Sequence, residues 1–256
     1  MTEVWQALLR ASERGEAVAL ATVVGVEGSA PRHRGARMVI WPDGRIVGTI
    51  GGGTLEHRVI AEAQEALRLG RPRRYCVNLT RDLGMCCGGA MDVYIEPQRP
   101  RDHLLIFGAG HVGLAAARQA ELLGFRLTVV DDREEWNTIE RFPTAERVVL
   151  DPRSFCRAVE PGPYTWVLVT THEHALDQDL VELLLPHDFA WLGLIGSKTK
   201  VTRFFLRLRA AGMDPARFER LHSPVGIDIG AETPAEIAVS IAAQWVAVRN
   251  RVAPAR

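Results

Sequence analysis

Cysteine is scarce in this sequence: 4 of the 256 residues are Cys, and no two of them form a Cys-x-x-Cys pair. Structural zinc sites are commonly built on such pairs, so we expect no structural zinc. The N-terminal stretch MTEVWQALLR lacks the basic start and the apolar middle of a signal peptide. We therefore expect a cytoplasmic protein whose thiols stay reduced and unpaired.

An excess of charge of one sign and a long apolar run are also missing. Lys plus Arg and Asp plus Glu both number 31, so the formal net charge is +0. A balanced chain offers no electrostatic reason to bind nucleic acid or an anionic membrane. No stretch approaches the roughly 18 consecutive apolar residues of a membrane-spanning helix. We therefore expect a folded chain, 47% hydrophobic, with neither nucleic acid nor a membrane as its partner.

Residues 1–99 predict a mixed α/β domain. Apolar residues at helical spacing predict helices over 3–14 and 54–69. Runs rich in β-branched residues, bounded by turn residues, predict strands at 18–26, 37–41, 46–50, 75–79 and 91–96. The polar, proline-containing stretch Pro97–Asp102 predicts a linker, so we place the domain boundary between residues 99 and 100.

Residues 100–256 alternate short apolar runs with helical patterns, which predicts a Rossmann-like, doubly wound parallel sheet. The apolar runs are typical of parallel strands buried on both faces and lie at 103–107, 127–130, 166–170 and 191–195. The helical patterns lie at 111–123, 176–185, 198–211 and 234–248. Thr233 and Glu236 predict a capping box at the start of the last helix.

The glycine pattern GAGHVG at 108–113 stands between an apolar run and a helical pattern. Missing side chains at Gly108 and Gly110 permit a tight turn and close backbone approach to a phosphate, and Gly113 completes the pattern. His111 stands at the helix start, where free N–H groups favour anions. Asp131 lies at about the 20-residue spacing at which a carboxylate accepts hydrogen bonds from a ribose diol. The alternative is a Rossmann turn that holds no nucleotide.

A second glycine cluster, Gly51-Gly52-Gly53, lies between a predicted strand and a predicted helix. Three successive glycines can bring backbone N–H groups onto one anion, such as a phosphate. The alternative is a turn that needs positive φ. Glu56 falls in the first helical turn, where it either favours the helix dipole or contacts a ligand.

Two loops of the first domain carry further candidates for ligand binding. A loop after the first long predicted strand is bracketed by Ser29, Arg32, His33, Arg34 and Arg37. An arginine offers forked donors to a phosphate, although a solvated loop is an equal alternative. Cys87 and Gly88 lie in the glycine-containing loop MCCGG, where a bulky ligand can approach a thiol.

The two remaining cysteines are not candidates for ligand binding. Cys76 and Cys156 lie in apolar patterns and are expected to be buried.

Further ligand-binding candidates lie directly after two predicted strands of the second domain, where ligands bind in open α/β sheets. They are His172, His174, Asp177, Ser197 and Lys198. The His-x-His pair with Asp177 also permits a metal site. We expect the loop 223–233 to close over the same cleft.

Nine short motifs follow one another along the chain: GSAPR at 28–32, GARM at 35–38, GTIGGGTLE at 48–56, CGG at 87–89, FGAGHVG at 107–113, TTHEH at 170–174, GLIGSK at 193–198, SPVGIDIG at 223–230 and TPAEIAVSI at 233–241. In kind and order they resemble the XdhC/CoxI family of xanthine dehydrogenase accessory proteins. The resemblance runs almost from end to end. Cys86, beside the CGG motif, is not clearly part of it.

The resemblance implies a chaperone rather than an enzyme, with molybdenum cofactor (molybdopterin) as its ligand. Such a protein protects the cofactor during sulfuration by a cysteine desulfurase and delivers it to an apo xanthine dehydrogenase-type hydroxylase. Cys87 is then the candidate contact to molybdenum, and a homodimer is expected. Two alternatives stay open from the residues alone: an NAD(P)-dependent oxidoreductase, or a nucleotide-sensing regulatory protein. The first lacks a Tyr-x-x-x-Lys pair and a convincing acid–base pair.

Overall fold

The computed structural model describes residues 2–84, 88–196, 198–210 and 212–250. The chain divides into two compact units, Met1–Pro100 and Arg101–Arg256. The division falls inside the proline-containing stretch that the sequence suggests as a linker. No described helix combines the length and the apolar character needed to cross a membrane.

The first unit is a mixed α/β structure built on one antiparallel sheet. Its elements, in chain order, are α1 (Thr2–Glu13), β1 (Val18–Glu27), β2 (Arg37–Ile40), β3 (Ile46–Gly48), α2 (Gly53–Leu69), β4 (Arg73–Asn78), α3 (Leu79–Leu83) and β5 (Ala90–Gln98). The strand order is β3-β2-β1-β5-β4, with every neighbouring pair antiparallel.

Alternation along β1 explains why this sheet carries a helix on each face. Val18 and Leu20 point to one face and pack with the buried side of α1. Ala19, Ala21 and Val23 point to the other face and pack with α2. Successive strand residues face opposite sides, so one strand contributes to two apolar clusters.

Cys76 is exposed, which contradicts the expectation of a buried thiol. It lies on β4, the edge strand of the sheet, where Val77 points into the core. Its sulfur lies 3.3 Å from the carboxylate of Asp92, which also binds Arg74. The period-2 alternation of a half-buried edge strand therefore decides the position, rather than the apolar character of the run.

The second unit is a three-layer α/β structure. Its elements are β6 (His103–Phe107), α4 (His111–Leu122), β7 (Arg126–Val130), β8 (Glu146–Val148), α5 (Pro152–Ala158), β9 (Thr165–Val169), α6 (His174–Leu184), β10 (Trp191–Leu194), α7 (Lys198–Ala210), a 3-10 turn (Pro215–Arg220), β11 (Leu221–His222) and α8 (Pro234–Arg249). All strand pairs are parallel, in the order β11-β10-β9-β6-β7-β8. The predicted doubly wound parallel sheet is confirmed.

Both faces of this sheet are buried, as the apolar runs predict. Leu104 and Ile106 of β6 pack with α4 and α8 on one face. Leu105 and Phe107 pack on the other face, in a cluster that includes Cys156 of α5 and the buried sides of α6 and α7. Burial raises the pKa of the Cys156 thiol to about 11, which suits the predicted structural role of this residue.

Capping chemistry fixes the start of α8 as predicted. The Thr233 hydroxyl accepts a hydrogen bond from the Glu236 amide, and the Glu236 carboxylate accepts one from the Thr233 amide. The short elements β8, α5 and β11 were not predicted, because each is too short to show a periodic apolar pattern.

Candidate functional site

A crevice opens at the carboxyl ends of the central strands of the second unit. From β6 the chain passes through α4 to β7 on one side and later returns to β9 on the other side. Ligands of doubly wound sheets bind at this point of reversal. The cavity there measures about 440 Å³ and is lined by Gly110, His111, Val112, Arg133, Trp136, Thr170, Thr171, His172, Ile195 and Pro234.

The three glycines of the GAGHVG turn serve different purposes. Gly108 has φ 113°, and an added Cβ would overlap the backbone carbonyl of Thr170 at the end of β9. A Cβ on Gly113 would overlap the carbonyl oxygen of Gly108, so Gly113 lets α4 pack closely against the turn. Gly110 is the N-cap of α4 and has open space at its Cβ position. Only Gly110 faces space in which a ligand can approach the backbone.

Asp131 does not present a free carboxylate to the crevice. One oxygen accepts hydrogen bonds from the Ala109 amide (2.7 Å) and from Nη2 of Arg133 (2.7 Å). The other accepts from the Arg133 amide (3.0 Å) and from Nε of Arg133 (2.8 Å). The side chain is 3% exposed. The interpretation of Asp131 as acceptor for a ribose diol therefore needs correction, because its acceptor positions are occupied from within the chain.

Asp131 is ionised in spite of its burial. Burial acts to raise the pKa of this carboxyl, but hydrogen bonds from Arg133 and from the Ala109 amide outweigh it and lower the pKa below its ordinary value of 3.8. The same contact raises the pKa of Arg133. The pair is therefore an internal salt bridge that fastens the glycine turn to the end of β7.

Sequence reasoning missed a cationic and aromatic cluster next to this salt bridge. The guanidinium carbons of Arg133 and Arg141 lie 5.2 Å and 4.9 Å from the ring centre of Trp136. The His111 ring meets the same indole edge-on at 5.3 Å. Arg141 also donates to the Ala109 carbonyl (2.8 Å). The detectable signal was the string DDREEW directly after a predicted strand, which places Arg133 and Trp136 at the sheet end.

Some candidates in and after the TTHEH segment line the crevice, whereas others stabilise the loop. His172 lines the crevice, whereas His174 is 83% exposed and is not among the lining residues. Asp177 is buried and accepts hydrogen bonds from the amide (3.1 Å) and the hydroxyl (2.6 Å) of Thr171, so it shapes the loop. Among the described residues no three His, Cys, Asp or Glu side chains are grouped to hold a metal ion, so the structure adds no support to the suggested His-x-His metal site.

Of the remaining candidates of the second unit, one lies within the described residues. Ser197 lies outside the described residues, and Lys198 is the first residue of α7. The 223–233 loop is fastened at its start, where the Ser223 hydroxyl donates to the Leu194 carbonyl and the Gly226 amide donates to Gln244. Pro234, directly after this loop, lines the crevice.

The glycine cluster of the first unit already holds an anion of its own. Glu56 Oε1 accepts from the Thr49 hydroxyl (2.5 Å), the Ile50 amide (3.1 Å) and the Gly52 amide (2.9 Å). All three glycines have positive φ, at 142°, 79° and 62° for Gly51, Gly52 and Gly53. The amides of Ile50 and Gly52 gather on the Glu56 carboxylate, whereas the Gly51 amide donates to the Thr49 hydroxyl (3.2 Å). This corrects the expectation that the amides wait for a ligand.

The electrostatics of Glu56 agree with this role. Partial burial acts to raise the pKa of Glu56, but hydrogen bonds from the Thr49 hydroxyl and the loop amides outweigh it and lower the pKa below 4.5. The carboxylate thus stays charged at neutral pH, and no cation is among its hydrogen-bonding partners in the described chain. An incoming anion would meet this negative charge.

The 28–31 loop joins two motifs of the first unit. A Cβ on Gly51 would overlap Pro31, and a Cβ on Gly89 would overlap the carbonyl oxygen of Ser29. Ser29 and Gly88 are both exposed at this end of the sheet. The structure therefore brings Ser29, Gly51 and the end of the CGG motif close together. Cys87, with Cys86, lies outside the described residues.

Arg37 is engaged elsewhere in the first unit. Its guanidinium lies 5.1 Å from the ring centre of Trp5 on α1, and it donates a long hydrogen bond to the Gly35 carbonyl (3.4 Å). The side chain also lines a groove of about 550 Å³ together with Glu3, His33 and neighbouring loop residues. Gly48 and Thr49 of the GTIGGGTLE motif line the same groove, so Arg37 lies beside this motif.

A Rossmann-type crevice following a smaller α/β unit defines the class of protein, and comparison with known families identifies the family. A model described as the XdhC Rossmann domain matches residues 104–245. A model described as the XdhC and CoxI family matches residues 11–78. The chain belongs to the XdhC and CoxI family, as its motifs suggested.

Curated relatives extend the similarity along most of the chain. An uncharacterized protein of Escherichia coli, YqeB, is 42% identical over 91% of this chain and 43% of its own length. A Bacillus subtilis protein described as a probable xanthine dehydrogenase subunit is 32% identical over 63% of this chain and 47% of its own length. The chain thus spans less than half of the length of these two relatives.

A third relative and one solved structure match nearly end to end. The molybdenum cofactor insertion chaperone PaoD of Escherichia coli is 26% identical over 92% of this chain and 84% of its own length. A crystal structure described as a xanthine dehydrogenase from Bacillus halodurans is 24% identical and covers 97% of this chain and 96% of that one, with a TM-score of 0.54. At this identity the solved structure supports the fold alone.

Proposed function

We propose that the chain is a molybdenum cofactor accessory protein for a hydroxylase of the xanthine dehydrogenase class. The observation that carries the proposal is the similarity to PaoD, named as a molybdenum cofactor insertion chaperone, over 92% of this chain and 84% of that protein. The protein would bind, protect and release cofactor as cargo and would not act as an enzyme. Its partners would be the apo-hydroxylase, a cysteine desulfurase that sulfurates the cargo, and a second copy of the chain.

The crevice of the second unit suits the organic part of such a cargo. Molybdopterin combines an aromatic heterocycle with a phosphate. The crevice presents the open backbone at Gly110, the N-terminal turn of α4 and the guanidinium of Arg133, all of which favour an anion. The Trp136 indole and the His111 and His172 rings supply surface for a flat ring. Gly108 and Gly113 keep the turn narrow.

The metal end of the cargo needs a different chemistry, which Cys87 would provide. A thiolate is a good ligand for transition metals. The described residues contain no cluster of metal ligands, so no competing position for the metal emerges from them. Ser29 and Gly51–Gly53 would border the approach to the CGG motif, since Gly89 packs against the Ser29 backbone.

The proposal is tested by loading wild type, Cys87→Ala and Cys86→Ala with molybdenum cofactor. The readouts are retained pterin, measured by fluorescence after oxidation, and reactivation of a molybdenum-free hydroxylase. We expect wild type to retain and transfer cofactor, Cys87→Ala to lose most of both, and Cys86→Ala to resemble wild type. Full retention and transfer by Cys87→Ala would remove the role of this thiol. Absence of retention by wild type would remove the proposed function.

The same preparations separate this proposal from an NAD(P)-linked activity. Binding of NAD and NADP is measured by calorimetry, and oxidation or reduction of the nicotinamide is followed by absorbance. The occupied carboxylate of Asp131 argues against NAD, because the group expected to hold the ribose is already fully bonded. Steady nicotinamide turnover with a small substrate would favour an oxidoreductase instead.

A further inference from the structure

The hydrogen bonds of Asp131 leave it no capacity to bind a ligand. A carboxylate has about four lone-pair positions. Two are taken by the amides of Ala109 and Arg133, and two by Nε and Nη2 of the Arg133 guanidinium. Asp131 is 3% exposed and is not among the residues that line the crevice. A ribose diol could reach this carboxylate only after the arginine had left.

Arg133 takes the place that the carboxylate has in an NAD-binding crevice. It lines the cavity, and its side chain is 25% exposed. A guanidinium carries five N–H donors. Those not directed at Asp131 meet no acceptor among the described residues, and the ring of Trp136 supports the guanidinium from one side. The side chain is thus held rigidly at two points and still has donors to offer.

We propose that Arg133 is the specificity-determining residue of this crevice and that it binds a phosphate group of an aromatic ligand. Asp131 is the positioning residue that holds the guanidinium at the end of β7. In doubly wound folds this is the position at which an arginine accommodates the 2′-phosphate of NADP. The phosphate of molybdopterin offers the same chemistry, and to that extent the inference rests on the proposed function.

The size of the selectivity follows from the charges around Arg133. The Arg133–Asp131 pair has no net charge, and although no carboxylate is among the described residues of the crevice lining, those of Asp132 and Glu135 also act on the Arg133 guanidinium. Long-range attraction is therefore weak, and discrimination depends on short hydrogen bonds to the phosphate. The loss of such charged hydrogen bonds corresponds to about 10- to 100-fold in affinity.

The test measures binding of three probes to the full-length protein by equilibrium dialysis: NADP, NAD and released molybdopterin. The variants are Arg133→Leu, Arg133→Lys and Asp131→Asn. Arg126→Leu is the matched control, because Arg126 begins β7 at the opposite end of the strand and is half exposed. Thermal unfolding of each variant separates loss of binding from loss of fold.

We expect wild type to bind NADP or molybdopterin at least about 10-fold more tightly than NAD. Arg133→Leu should weaken the phosphate ligand about 10- to 100-fold and should not weaken NAD, because the Asp131 carboxylate is then free to accept hydrogen bonds from a ribose diol. Arg133→Lys should recover part of the loss, because the charge remains but the forked geometry is absent. Asp131→Asn should give an intermediate loss, and Arg126→Leu should match wild type.

Each other outcome removes a defined part of the inference or of the proposed function. Equal affinity of wild type for NAD and NADP, with molybdopterin binding that Arg133→Leu leaves intact, would overturn the inference and leave the proposed function standing. Binding of NADP that depends on Arg133, without retention of molybdopterin, would support the inference and overturn the proposed function. Binding of none of the three probes by folded wild type would overturn both.

Discussion

Both units begin a helix with a glycine loop, and in both an acidic side chain of the chain itself accepts hydrogen bonds from that loop. In the first unit Glu56 accepts from the Ile50 and Gly52 amides. In the second unit Asp131 accepts from the Ala109 amide. The loops differ in what balances the carboxylate. Neutral amides and a hydroxyl surround Glu56, whereas the guanidinium of Arg133 neutralises Asp131.

This difference determines which loop can receive an anionic ligand. The Glu56 loop keeps a net negative charge and has used two of its amides, so a phosphate would have to displace Glu56 or approach against it. The Asp131–Arg133 pair has no net charge, and Arg133 keeps donors free beside a cavity. Similar glycine strings therefore predict similar backbone turns, while the neighbouring side chains decide the chemistry.

One of the two largest expected effects comes from the glycine that packs α4 against the turn. Gly113→Ala places a Cβ on the carbonyl oxygen of Gly108, a backbone atom that cannot rotate away. We expect a loss of about 3 kcal/mol in the free energy of unfolding, measured by urea titration. Unchanged stability would show that the turn can open without penalty, and would contradict the close packing of α4 against the turn.

Alanine variants of Asp131 and Glu56 compare how much each carboxylate contributes to the free energy of unfolding. Asp131→Ala leaves a guanidinium and a buried amide without their partner, and we expect a loss of about 3 kcal/mol in the free energy of unfolding. Glu56→Ala releases partly exposed donors that water can satisfy, so we expect about 2 kcal/mol. The double variant Asp131→Ala/Arg133→Leu should recover part of the first loss, because the unpaired cation is gone.

The sequence predicts features that extend over several residues, but it does not predict single side-chain contacts. The buried parallel strands followed from continuous apolar runs such as Leu104–Phe107, and the glycine turns from their spacing. The partners of Asp131 and Glu56 could not be predicted, because a side chain that folds back on a turn leaves no periodic signal. Cys76 was misjudged because its strand lies at the edge of the sheet.

A matched pair of glycines tests whether the loops need their conformations equally. Gly52 and Gly110 are the N-caps of α2 and α4, and neither has a heavy atom near its Cβ position. Gly52 has φ 79° and ψ 177°, a region nearly restricted to glycine, whereas Gly110 has φ −66°. In thermal unfolding we expect Gly52→Ala to lose about 2 kcal/mol and Gly110→Ala about 0.5 kcal/mol. Equal losses would contradict a backbone-strain origin.

The smallest effect concerns acid, and its sign follows from the lowered pKa values of both carboxylates. A carboxyl whose pKa is lower in the folded state stabilises the fold above its unfolded pKa, and that contribution is lost as the pH falls through the folded pKa. The ordinary values are 4.5 for Glu56 and 3.8 for Asp131, so the contribution of Glu56 should begin to fall at a higher pH.

Urea unfolding at several values between about pH 6 and pH 3 compares wild type with Glu56→Gln and Asp131→Asn. Each amide variant should lose less stability on acidification than wild type, because one titrating group has been removed. Glu56→Gln should differ from wild type first, near pH 4.5, and Asp131→Asn only nearer pH 3.8. Parallel curves for all three proteins would mean that neither carboxylate is held more firmly in the folded state than in the unfolded chain. The two glycine loops would then be fastened by backbone geometry alone.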